Sequence, residues 1–114
     1  MTRIRIWTEA YRPFTMGGDV RRPVATEVVA SGLLNLGGGY KGYVVKAPNG
    51  ETRVVEATSG AIVGLTLAEV MDDIREASPE VMRTQIANAR ERAKKADTVD
   101  EAEFWRLMRC DEKP

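Results

Sequence analysis

The 114-residue sequence predicts an α+β domain: an N-terminal antiparallel β-sheet of about five strands, then two to three C-terminal helices packed on one face. Three observations carry that prediction. Apolar and polar residues alternate in the first half, as in "RIRIW" (Arg3 to Trp7). "PNG" (Pro48 to Gly50) separates two β-rich runs as a hairpin turn does. From Thr66 onward the apolar residues recur at steps of three and four, which is the period of a helix.

Taken in order, "RIRIW" is the first strand and "PVATEVVAS" (Pro23 to Ser31) the second. The second is rich in β-branched residues and opens on a proline, which a first strand position tolerates. "YKGYVVKA" and "ETRVVEA" are the arms of the "PNG" hairpin, where Asn-Gly supplies the positive φ values of a tight turn. "GAIVG" (Gly60 to Gly64) is a short fifth strand, and the repeated hairpin spacing implies an antiparallel meander. Thr66 with Glu69 forms a capping box ahead of Leu67, Val70, Met71 and Ile74. Ser78 precedes Pro79 as an N-cap precedes a first-turn proline. The helix that follows carries Met82, Ile86, Ala89, Ala93 and Ala96 on one stripe. Thr98 with Glu101 is a second capping box, opening a last helix with Phe104, Trp105 and Met108.

Length and continuity predict one domain over residues 1–114. Large apolar side chains are few, so the core is thin and a homo-oligomer is expected to finish its burial. Seventeen basic and seventeen acidic residues balance, which disfavours duplex nucleic acid and an anionic membrane as partners. No apolar run is long enough to span a bilayer, and "MTRIRIWTE" carries charges where a signal peptide is apolar. With one cysteine, Cys110, no intrachain disulfide forms, and a cytoplasmic location is expected. Histidine is absent, which removes the commonest general base and metal ligand. The expectation is a protein that is not an enzyme, with no catalytic residue, metal or cofactor.

The chemistry then rests on arginines, amides and aromatics. "NLGGGYKGY" lacks the helix and the Lys-Ser/Thr ending of a phosphate loop, so its glycines read as turn residues. "YRPFTMGGDVRRPV" (Tyr11 to Val24) reads as a loop in which Tyr11, Arg12, Arg21 and Arg22 form a second anion site. The competing reading is a surface or interface loop whose arginines pair with Glu9, Asp19 or Glu27. On the long helix, Arg83 and Asn88 lie close to the Met82/Ile86 stripe and border a pocket, where an amide reads the edge of an adenine. Its "RERAKK" run reads as a solvated face. Trp105 is either a core anchor or a stacking platform beside Arg106 and Arg109.

The sheet-then-helices order, with "PEVMRTQIANAR" and "EFWRLMR" on the helices, resembles a phage Thoeris anti-defence sponge of the first described type. Such proteins sequester a cyclic ADP-ribose signalling molecule and are oligomeric and non-catalytic. The resemblance implies Asn88 as a base-reading amide and Arg83, Arg106 or Arg109 as diphosphate contacts. It implies Trp105 or Met82 as the flat apolar contact. No aromatic occurs between Tyr43 and Phe104, so on the middle helix Met82 takes the place of a stacking ring. It also implies cyclic oligonucleotides at separate sites, a role for "DVRRP", and the host-cell cytoplasm as the location of a phage-encoded chain.

The expected function is therefore capture of a small cyclic nucleotide signal, lowering its free concentration by mass action and blocking host anti-phage defence. The runner-up is a small phage or prophage inhibitor or adaptor acting by protein–protein contact. A carboxylate-based nucleotide hydrolase ranks third.

Overall fold

The computed structural model describes residues 2–37, 39–63 and 79–109. They form β1 (Thr2–Phe14), β2 (Gly18–Ala30), β3 (Gly32–Gly37), β4 (Tyr40–Lys46), β5 (Thr52–Glu56) and β6 (Ile62–Val63). Helix α1 (Pro79–Lys94), the short β7 (Asp97–Thr98) and helix α2 (Glu101–Leu107) follow. The class is α+β, with antiparallel strands first and two described helices last. The strands make two sheets, ordered β1-β2-β7 and β3-β4-β5-β6. The expected helix from Thr66 to Ile74, the Ser78 cap and Cys110 lie outside the described residues.

The dominant element is the β1–β2 hairpin, paired without a break from Thr2↔Ala30 to Phe14↔Gly18. Thirteen residues per strand at about 3.3 Å each span roughly 43 Å, which matches the 43 Å long axis of the molecule. "YRPFTMGGDVRRPV" is thus not a loop: it is the outer half of a ribbon, with only Thr15, Met16 and Gly17 turning. Pro13 and Pro23 fall inside strands there, which is tolerated because a two-stranded ribbon leaves an open edge on each side. The β7 contact begins only at Val24.

Among the described residues, backbone hydrogen bonds join the two sheets at two places. The chain passes from β2 into β3 with a single residue, Ser31, whose N–H donates to the Val44 carbonyl at 2.7 Å. On the far side, Trp7 bridges Ala61 in parallel, and its N–H donates to the Gly60 carbonyl at 2.9 Å. Glu56 fixes the turn that reaches this bridge. Its buried carboxylate accepts from the N–H groups of Thr58 and Ser59, at 2.7 and 2.8 Å.

Both faces of the hairpin are apolar at its middle, and each takes one helix. Ile6, Ala10, Val24 and Val28 point into the main core with Val45, Val55, Phe104 and Trp105, so α2 and the second sheet cover this face. Trp7 and Ala25, of opposite pleat, pack under Ala89 with Ala93 and Ala96 beside them, so α1 covers the other. The expectation of helices on one face is corrected here. "IW" at Ile6-Trp7 places one large apolar side chain on each side of β1, and each side needs a cover.

Three local expectations also change. The meander is interrupted, because β2 and β3 are successive but unpaired, and β2 pairs with β7 in parallel instead. In "PNG" only Gly50 has positive φ (89°), with the Gly50 N–H donating to the Ala47 carbonyl. The turn therefore starts at Ala47 and is not a two-residue Asn-Gly turn. At α2 the N-cap is Asp100, whose carboxylate accepts from the Glu103 N–H at 2.7 Å. Thr98 is unavailable as a cap because it pairs with Ala25 in β7.

Candidate functional site

The period of the hairpin divides the arginines of its outer half. Tyr11 and Arg21 are direct cross-strand partners on the α1 side, with the Arg21 guanidinium 5.8 Å from the Tyr11 ring centroid. Arg12 has the opposite pleat and reaches the α2 side, where it pairs with Asp97 at 3.2 Å and Glu103 at 3.5 Å. Arg22, opposite Ala10, shares the pleat of Arg12 and is exposed. The four residues do not form one site.

Arg21 instead meets the helix. A cleft of about 460 Å³ lies between α1 and the hairpin, lined by Arg21, Glu9, Met82, Gln85, Ile86 and Arg92 among others. Helical spacing places Met82, Gln85, Ala89 and Arg92 along this flank of α1. Ile62 and Val63 extend the apolar wall. The two arginines at its mouth are pre-oriented by Glu9. Its Oε2 accepts from Arg21 Nε at 3.2 Å, and its Oε1 lies 3.9 Å from Arg92 Nη1. Arg92 also sits over the Trp7 ring at 5.6 Å. Among the described residues no ion pair engages the two terminal nitrogens of Arg21, which stands beside an apolar wall and an amide. The volume lies within the range of small-molecule sites.

The other expected ligand residues are distributed elsewhere. Arg83 faces the opposite flank of α1, in a cleft of about 410 Å³ with Tyr40, Thr58 and Arg90. Asn88 is exposed on α1 and lines neither of these clefts. Trp105 is 1% exposed, packed edge-to-face on Phe104 at 5.2 Å, and its Nε1 donates to Glu101 at 3.3 Å. Neither face of that indole is open to a ligand. Arg106 is exposed and pairs with Glu103, while Arg109 follows α2 with φ of 59°. These α2 residues lie across the hairpin from Met82 and Arg83, so the six do not converge.

Gln85 and Arg92 line this cleft with Met82, beyond the residues the sequence assigns to a ligand site. Arg92 falls in a charged run read as solvated, although it lies one helical step beyond Ala89 on the Met82 flank. Among the described residues no group of three or more His, Cys, Asp or Glu side chains is placed to hold a metal ion. No described helix is long and apolar enough to cross a membrane. Comparison with protein-family models, curated proteins and solved structures finds no match for this chain.

Proposed function

We propose that the protein is a non-catalytic binding protein that captures a small cyclic nucleotide signal, of the cyclic ADP-ribose class, in the cleft between α1 and the hairpin. The observation that carries this is the meeting of Met82 and Arg21 in one cleft. An apolar wall for a flat base and a guanidinium pair for a diphosphate stand side by side there. Sequestration needs no further chemistry: burial of the ligand lowers its free concentration by mass action and interrupts the defence response that it triggers.

Calorimetric titration against cyclic ADP-ribose isomers, NAD, ADP-ribose and cyclic oligonucleotides tests the proposal. One cyclic ADP-ribose isomer is expected to bind and to be recovered intact after denaturation. Arg21→Ala is expected to weaken it about tenfold or more, since a charge-assisted hydrogen bond contributes roughly 1.5–3 kcal/mol. The double variant Arg106→Ala, Arg109→Ala is expected to bind as the parent does. Hydrolysed ligand, or heats indistinguishable from dilution across the panel, would overturn it.

A second reading rests on the hairpin tip. Met16 is 85% exposed at the turn, and Tyr11 and Phe14 are exposed on the strand that leads to it, apolar groups of the kind that anchor protein–protein contacts. On this reading the chain is an inhibitor or adaptor, and capture of a protein partner that Met16→Ser abolishes, with no nucleotide affinity, is its signature.

A further inference from the structure

The flank of α1 opposite the nucleotide cleft carries a separate set of cations. The cleft that holds Arg83 shares Thr58, Ala87 and Arg90 with a larger one of about 730 Å³, where Arg5, Trp7 and Lys94 join the lining. The two adjoin along this flank of the helix. Arg83, Ala87, Arg90 and Lys94 recur at steps of four, three and four, so they line one flank of the helix along the groove. At about 1.5 Å rise per residue, Arg83 and Arg90 stand roughly 10 Å apart along the axis, and Lys94 about 6 Å further. Arg5, from β1, faces them across the 57–60 turn.

Among the described residues the charge on this groove is balanced in part, by Glu91, which lines it. Lys94 is held by Glu91 at 2.9 Å. The hydrogen bond and charge of Lys94 draw the exposed Glu91 carboxyl below the usual carboxylate value. Arg5, Arg83 and Arg90 make no ion pair among the described residues. Arg90 spends only its Nε, donating to the Thr58 carbonyl at 3.4 Å. The groove wall is made of small residues, Ala57, Ser59, Gly60 and Ala87, which leaves width for planar groups. At the Arg83 end the half-buried Tyr40, packed on Leu36 and Val54 on its other side, adds the edge of an aromatic ring.

We propose that this groove is a site for a short single-stranded oligonucleotide, its phosphates on Arg83, Arg90 and Arg5 and one base against Tyr40. A row of spaced guanidiniums ending on a ring fits a strand that carries both phosphates and flat bases. An acidic peptide would use the cations and leave the ring idle. Its cations lie on the flank of α1 opposite Arg21 and Arg92, with Trp7, Ser59 and Ile86 standing between the clefts.

Fluorescence anisotropy with a labelled uridine hexamer at 50 and 200 mM salt tests it. Three neutralised phosphates give a slope of about −2 in log K against log salt, so affinity is expected to fall roughly 20-fold over that range. In Arg83→Ala, Arg90→Ala the hexamer is expected to bind at least tenfold more weakly at 50 mM salt, with only about a threefold salt effect. Arg21→Ala is expected to bind it unchanged. These arginines are exposed, so far-ultraviolet circular dichroism of the variants is expected to match the parent. No binding at 50 mM salt, a salt slope that the double variant leaves intact, or equal competition by hexaglutamate would overturn the proposal.

Discussion

Gly60→Ala is expected to lower stability by about 3 kcal/mol or more, read as a fall in melting temperature on the order of 10 °C. Two costs add. Gly60 has φ of 73°, where a side chain is disfavoured by roughly 1–2 kcal/mol. A Cβ built there would also lie 2.5 Å from the Arg5 carbonyl oxygen, which is backbone and cannot swing aside. Relieving that clash moves the 57–60 turn away from β1. The Gly60 carbonyl then leaves the Trp7 N–H, and with it goes a backbone join between the sheets. Gly50→Ala is the control: φ is 89°, but no atom lies within 4 Å of the added Cβ, so only the conformational cost applies. Equal melting shifts for the two variants would mean that the Trp7–Gly60 join does not hold the sheets together.

Trp105→Ala is expected to cost about 3–5 kcal/mol, the range for deleting a fully buried aromatic, measured by urea denaturation. Trp105 and Phe104 are the largest fully buried side chains and lie where α2 meets the hairpin. A short helix of seven residues has little stability of its own, so this anchor carries its docking. Trp105→Phe keeps much of the volume, is expected to lose far less, and is expected to bind ligand as the parent does. A Trp105→Phe variant with native stability and no ligand affinity would instead make the indole a stacking platform.

Much of the fold was legible in the residues, for physical reasons that can be named. Period-2 alternation in "RIRIW" marked β1, and the Met82-to-Ala96 stripe marked the buried side of α1, because both patterns record burial directly. β3 was missed. "LLNL" is too short to declare a strand by itself, and its strand character comes from pairing with Tyr40–Val44. The length of the hairpin was hidden by Pro13, Pro23 and the Gly-Gly pair, all of which ordinarily mark turns. The two-sided placement of the helices was present in "IW", two adjacent large apolar residues of opposite pleat, but becomes decisive only when both covers are seen.

The candidate site was legible as a set of residue types and not as geometry. Arginines, an amide and a flat apolar side chain were identified as the groups that an anionic nucleotide needs. Which of them share a cleft depends on the pleat of each hairpin residue and on which face α1 occupies. That is why Arg21 joins Met82, while Arg12, its near neighbour in the ribbon, goes to Asp97 and Glu103.

The most direct test of nucleotide capture in the α1 cleft is a methyl-resolved NMR titration with 13C-methyl methionine. Three methionines report on three places: Met82 on the cleft, Met16 on the hairpin tip and Met108 beside α2. On adding the cyclic ADP-ribose isomer that binds, the Met82 methyl is expected to shift while Met16 and Met108 stay in place. A shift at Met108 with Met82 unmoved would put the ligand on the other face of the hairpin and contradict the account.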